Sequence, residues 1–244
     1  MRGPDAGSPS YALKRFKYNS HYWVLKFLSS TQRPLRILDV GTANGYLGAI
    51  LRAQGHSLVG LEEDAAAAQQ ARRYYDCFHV VDVESFEFPY REEFDFILFA
   101  DVLEHVRDPI RVLQRSLPTL KKTGELIISL PNVANIVIRL SLLAGRFDYY
   151  ERGILDKTHL RFFTLSGIRK MIQQASCRVL EVAPTPLPVQ LVVPISERGI
   201  FSPFHEAHYL LVKSWKTLFA YQFVVRAAPE SIATNICGSH GSRR

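Results

Sequence analysis

The chain has 244 residues, 47% hydrophobic and 22% charged, with a net charge of +7 at pH 7 and a sequence pI near 9.4. That is enough apolar material for one α/β domain with a sizeable core, and the charged fraction is ordinary for a globular protein. Lys and Arg are scattered along the chain, which argues against a nucleic-acid partner and favours an anionic small or lipid-linked substrate. The three cysteines, Cys77, Cys177 and Cys237, are far apart and odd in number, so they form neither a disulfide framework nor a zinc knuckle. Residues 1–10 lack the apolar core of a signal peptide. No stretch reaches the roughly 18 apolar residues of a membrane span. The expectation is a cytoplasmic protein with inert thiols.

In chain order, residues 1–10 are Gly/Pro/Ser-rich and expected to be loose. Tyr11 to Leu28 reads as a helix whose polar members Asn19 and His21 either face a ligand or merely cover a sheet. Leu35, Ile37, Leu38 and Val40 form a short apolar run suited to a strand buried on both faces. It ends in Asp39 and the turn Gly41-Thr42-Ala43-Asn44-Gly45, followed by a helical pattern to about Gln54, where Gly55 stops it. A second strand ends in Glu62 and Glu63, and Asp64 is placed to cap the alanine-rich helix 65–73. Cys77–Val83 reads as a third strand and Phe94–Ala100 as a fourth. Pro109 opens a helix through Leu117, and 121–130 reads as a fifth strand. Five strand-helix alternations imply a parallel sheet with right-handed crossovers.

The glycine spacing Gly41, Gly45, Gly48 is not the G-x-G-x-x-G of a dinucleotide site, and the carboxylate of Asp39 would repel a pyrophosphate. The stretch L-D-V-G-x-x-x-G-x-x-G resembles the first motif of class I S-adenosylmethionine-dependent methyltransferases. D-V-L-E-H-V-R-D-P, from Asp101 to Pro109, resembles the fourth motif of the ubiquinone-biosynthesis type of that family. G-I-L-D-x-T-H-L-R-F-F-T, Gly153 to Thr164, resembles a subgroup often found beside glycosyltransferases. The resemblance covers about residues 18–228. It implies a Rossmann-like, seven-stranded, mostly parallel sheet with an antiparallel edge strand, helices on both faces and helical insertions forming a lid. Arg178–Pro184 and Tyr221–Arg226 are then the edge pair, within a single domain over 11–228 and with a disordered tail over 229–244. The implied cofactor is S-adenosylmethionine, leaving S-adenosylhomocysteine, with no metal expected. Its ribose falls to Glu62, with Glu63 as the register alternative, because an acid about 20 residues beyond the turn can accept from both hydroxyls. Asp82 and Val83 fall beside the adenine, although Asp82 also suits a turn cap. Ala100 and Asp101 fall beside the methionine end.

Two insertions depart from the minimal fold, 131–164 and 186–220. In the first, Asn132 to Phe147 reads as an apolar helix with Asn132, Asn135, Arg139 and Arg146 on one face, either buried or lying in a membrane interface. Asn135, Arg139 and Arg161 are expected on the acceptor side. Methyl transfer to a hydroxyl needs a base with a pKa near the working pH. His159, oriented by Asp156, is the first choice and His105 the second, and each also has a purely structural reading. Thr164 caps the helix 165–175. The second insertion continues into an aromatic helix near Pro203–Phe219, where His205, Glu206 and His208 fall short of a metal set. The function expected is O-methylation of a small-molecule, sugar or lipid-linked acceptor, with peripheral contact at the inner face of the membrane as an open option. An N-methyltransferase and a non-catalytic cofactor-binding subunit remain alternatives.

Overall fold

The structure, a computed structural model, describes residues 17–29, 31, 33–188 and 202–230. The expected loose start, the front of the first helix, Cys237 and residues 189–201 of the second insertion lie outside these residues. The elements in order are α1 (Ser20–Leu28), β1 (Arg36–Val40), α2 (Tyr46–Ala53), β2 (Ser57–Glu62), α3 (Ala65–Ala71), β3 (Cys77–Val80), β4 (Phe94–Ala100), α4 (Pro109–Ser116), β5 (Leu120–Pro131), α5 (Ile136–Leu143), α6 (Leu165–Gln174), β6 (Cys177–Thr185), α7 (Ser202–Ser214), α8 (Lys216–Phe219) and β7 (Gln222–Pro229). They build one seven-stranded sheet in the order β3-β2-β1-β4-β5-β7-β6. β1 to β5 run parallel, while β7 runs antiparallel to both β5 and β6.

Side chains alternate across each strand, which sorts the core into two layers. Leu38, Ile97, Phe99 and Ile128 pack with Val112, Leu113, Ile168 and Ile172 of α4 and α6. Ile37, Leu58, Leu98 and Ile127 face the other way, onto Trp23, Phe27, Leu47 and Leu51 of α1 and α2. The helices start where the sequence supplies caps. Asp64 accepts from the Ala66 and Ala67 amides, Asp108 from Arg111, and Thr164 from Gly167.

Three expectations need correction. The helix expected over 132–147 covers only Ile136–Leu143. Asn132 and Asn135 use their side chains on the preceding turn, accepting from the Ala134 and Val137 amides. Both also donate to the Ala220 carbonyl ahead of β7. Asn offers the backbone such alternatives to a helix, so these residues form the turn and the cap and not a polar stripe. The aromatic helix near 203–219 is divided at Trp215 into α7 and α8. The first two residues of the tail expected over 229–244 are ordered, since β7 runs through Pro229 and the Glu230 amide donates to the Ser176 carbonyl, and the rest of it lies outside the described residues.

Candidate active site

The sheet order reverses between β1 and β4, and an open α/β sheet binds its ligand outside the carboxyl ends of the strands at that point. A cavity of about 310 Å³ opens there. Its floor is Val40 and Gly41 after β1, one wall is Glu62 to Asp64 after β2, and the far side is Ala100 to Val102 after β4. Gly41 has φ +72°, and a Cβ on it would lie 2.5 Å from Val102 Cγ2, so only glycine lets the chain turn this close to the β4 loop. Gly48 has another task. A Cβ there would lie 2.3 Å from the Tyr75 hydroxyl, which donates to Asp39 Oδ2 at 2.6 Å.

That bond redirects Asp39. Its carboxylate is 2% exposed, engaged with Tyr75 beneath the turn, and it does not line the cavity. Burial pushes its pKa up to about 7, against the pull of the Tyr75 hydroxyl. The carboxylate at the cavity is therefore that of Glu62 and not that of Asp39. Glu62 Oε2 accepts from the Ala43 amide at 2.7 Å, and Oε1 accepts from Glu63 and Asp64 at 3.0 Å each. Three amides fix its carboxylate at the cavity wall, and a carboxylate has further lone pairs for a ligand's hydroxyls. Of the other residues singled out in sequence, Ala43, Asn44, Glu63, Asp82, Val83, Ala100 and Asp101 line the cavity, while Thr42 and Gly45 do not. Asp82 also accepts from the Glu84 amide, so it caps its turn while lining the cavity.

The β4 end carries a backbone feature that sequence could not show. Asp101 has φ +59°, a conformation uncommon for a residue with a side chain. It is held from two strands. Ser129 Oγ donates to Asp101 Oδ1 at 2.6 Å and accepts from its amide at 3.0 Å, and Gln222 Nε2 donates to the same carboxylate. Ser129 lies in the stretch read as the fifth strand and Gln222 in the edge pair, and sequence singles out neither for the site. Tyr46 is a further wall residue that was missed. Its hydroxyl meets His21 Nε2 at 3.0 Å, so His21 stands behind Tyr46 and Asn19 caps α1.

On the acceptor side, His105 lines the cavity, as Asp101 does. His159 does not, and sits among Pro131, Ile154 and Phe162 in a separate small recess. The two rings meet edge to face with centroids 4.8 Å apart. Burial holds His159 below the usual histidine range, with the nearby His105 acting in the same direction. Asp156 does not orient His159 as expected. Its Oδ1 accepts from the Thr158 amide and hydroxyl, while His159 Nδ1 meets the Ile154 carbonyl at 3.1 Å. Glu104 is 1% exposed, and its carboxylate and the two imidazoles bring ligating atoms within 4.8 Å of one another. The sequence suggested no such grouping, because it joins residues more than fifty apart. Asn135 is buried and bound to backbone, Arg139 donates to the Ala134 carbonyl on the outer side of α5, and Arg161 donates to the Arg107 carbonyl. None of the three lines the cavity.

A switch-point crevice closed by a glycine turn, an acid after β2 and an antiparallel β7 define the class I S-adenosylmethionine-dependent methyltransferases. The comparisons agree, and the chain belongs to the methyltransferase domain family, whose model matches residues 11–182. It is similar to the ubiquinone biosynthesis O-methyltransferase of Rhodopseudomonas palustris, at 25% identity over 184 residues, covering 73% of this chain and 70% of that protein. It is also similar to the tRNA 5-carboxymethoxyuridine methyltransferase of Escherichia coli, at 28% identity over 131 residues and 50% of each chain. Among solved structures, an S-adenosylmethionine-dependent methyltransferase from Mesorhizobium loti matches with a TM-score of 0.58 at 13% identity, covering 86% of this chain and 97% of that one. Magnesium protoporphyrin IX methyltransferase from Synechocystis, with bound S-adenosylhomocysteine, matches with a TM-score of 0.55 at 14% identity, covering 86% and 80%.

Proposed function

We propose that this enzyme methylates a hydroxyl of a small-molecule, sugar or lipid-linked acceptor, with His105 as the general base. One observation carries the reading: His105 is among the residues that line the cavity, as are Ala100 and Asp101 at the end of β4, whereas His159 is not. The ribose is assigned to Glu62, the adenine side to Asp82 and Val83, and the methionine end to Ala100 and Asp101. When bound, S-adenosylmethionine supplies an activated methyl group, whose bond to sulfur breaks as a bond to the acceptor oxygen forms. The protein's part is alignment, exclusion of water and removal of the hydroxyl proton, which passes to His105. His159, first choice from sequence, fits better as the packing partner of His105, since it is off the cavity wall and burial favours its neutral form. One domain over 11–228 carries the whole activity, with 131–164 and 186–220 on the acceptor side.

The lipid-linked option draws support from α5. Val137, Leu140, Leu142 and Leu143 stand exposed on it, Leu143 at 84%, with Arg139 and Arg146 alongside. Apolar residues flanked by arginines suit contact with an anionic membrane face. A second reading, N-methylation, is favoured by the acid Asp101 in the cavity lining, which would accept from the N–H of an amine acceptor. Release of S-adenosylhomocysteine, measured with matched sets of sugar, phenol and amine acceptors, separates the two. The proposal expects turnover with hydroxyl acceptors that falls by at least about 10² in His105→Asn. Turnover restricted to amines and unchanged in His105→Asn overturns it.

A further inference from the structure

The segment Asp156–Arg161 is the sequence feature that the cofactor site does not explain. It is stitched to the β4 loop, with the Leu160 and Arg161 amides both donating to the Glu104 carbonyl, at 2.8 and 3.0 Å. Within it, Asp156 is buried, and its Oδ1 accepts from the Thr158 amide at 2.8 Å and the Thr158 hydroxyl at 2.7 Å. That hydroxyl proton is thereby committed to the carboxylate. The Thr158 oxygen can then only accept from His105 Nδ1, which lies 3.2 Å away. The Thr158 carbonyl, 3.3 Å from the same nitrogen, can also only accept. Both partners of Nδ1 demand a proton there, so a neutral His105 keeps its lone pair on Nε2.

We propose that Asp156 and Thr158 are positioning residues for His105, fixing the Nδ1–H tautomer so that Nε2 is the atom that takes the acceptor's hydroxyl proton. The role of Nε2 rests on the reading of His105 as the base, whereas the tautomer assignment stands on the hydrogen-bond chain alone. In this arrangement Asp156 acts through the threonine hydroxyl, and the D-x-T motif serves a histidine fifty residues upstream and not its own neighbour His159. Docking of the 156–161 segment on Glu104 then completes the base. A base in the other tautomer would present a proton, and not a lone pair, to the acceptor.

The test reads the tautomer directly. The full chain is labelled with ¹⁵N-histidine and saturated with S-adenosylhomocysteine. The His105 signals are assigned by their loss in His105→Asn, and long-range ¹H–¹⁵N spectra report which nitrogen carries the proton. The proposal expects protonated Nδ1 and bare Nε2 in the unmodified protein, and the reverse overturns it without any variant. Asp156→Ala frees the Thr158 hydroxyl to donate into Nδ1 against the pull of the carbonyl, so the Nε2–H share of the ring should rise. Adding Thr158→Val removes that donor and returns the ring to Nδ1–H through the carbonyl. An unchanged tautomer in a folded Asp156→Ala, judged by its melting curve, overturns the role of Asp156. Should that variant fail to fold, Thr158→Val and Thr158→Ser decide. Serine should keep the ring signals of the parent and valine should shift them, and identical spectra for both overturn the role of the hydroxyl. If Asp156→Ala changes the tautomer while turnover with a hydroxyl acceptor is unchanged, the positioning stands and the base assignment falls.

Discussion

Replacing Glu62 tests the cofactor cradle in a way the geometry makes quantitative. Its carboxylate accepts from three amides, of Ala43, Glu63 and Asp64, at 2.7 to 3.0 Å. Glu62→Gln keeps the shape but turns one oxygen into an NH₂ group. Whichever way the amide lies, a donor then faces either the Ala43 amide or the Glu63 and Asp64 pair, and the ribose loses a charged acceptor. Hydrogen bonds to a charged group are worth about 1.5–3 kcal/mol, so affinity for S-adenosylhomocysteine should fall roughly 10- to 100-fold. Glu62→Ala should cost at least as much, since it also releases the turn at Ala43. The assay is isothermal titration, with melting curves to show that both variants are folded. Dissociation constants within about threefold of the parent in both folded variants would refute the ribose assignment, and a loss on Glu63→Gln instead would move it one residue along.

Further predictions concern the support around the site. Gly48→Ala sets a methyl group against Tyr75 and should cost about 1–3 kcal/mol of stability, read from urea midpoints; an unchanged midpoint would mean that the Tyr75–Asp39 pair moves aside freely. Burial raises Asp39 from 3.8 to about 7, so the folded chain keeps a proton that the unfolded chain gives up above about pH 4. Its contribution to stability is therefore full at low pH and is lost as pH rises toward 7, and Asp39→Asn should flatten that part of the curve; an identical pH profile in the variant contradicts the assignment. Asn135→Ala removes the α5 cap and the bond to Ala220 and should lower stability by about 1–2 kcal/mol with cofactor affinity unchanged; weakened titration would put it at the site after all. Leu140→Glu with Leu143→Glu should leave the melting point unchanged and reduce sedimentation with phosphatidylglycerol vesicles. A parent protein that stays in the supernatant rules out the membrane contact.

The parts of the fold that were legible are those that local physics dictates. The β1 strand and glycine turn and the caps Asp64 and Thr164 follow from apolar runs and side chains that bond their own backbone, while the edge pair β6 and β7 is implied by the family resemblance. What local patterns could not settle was the direction of a side chain. Asp39 looked like a cavity acid because it ends a strand, yet Tyr75, thirty-six residues on, claims it from below. The stripe through Asn132 and Asn135 matched a helical period, but both side chains find carbonyls ahead of β7, and these contacts outweigh periodicity. Sequence favours His159 for its place in the acceptor-side insertion, yet His105 lines the cavity and His159 does not, and segment 156–161 lies against the β4 loop. Ser129 and Gln222 lie in stretches read as strands, but their convergence on Asp101 joins residues 28 and 121 positions apart and has no local signal.

A crystal structure with S-adenosylhomocysteine bound tests the central claim most directly, because it places the sulfur relative to the two histidines. The account predicts the ribose hydroxyls on Glu62, the adenine beside Asp82, and the sulfur at the Ala100–Asp101 turn. His105 Nε2 should then be within about 3 Å, or one water, of the point where an acceptor oxygen meets the methyl's line of departure. A sulfur that faces away from His105, or a ligand held anywhere but this crevice, would contradict it.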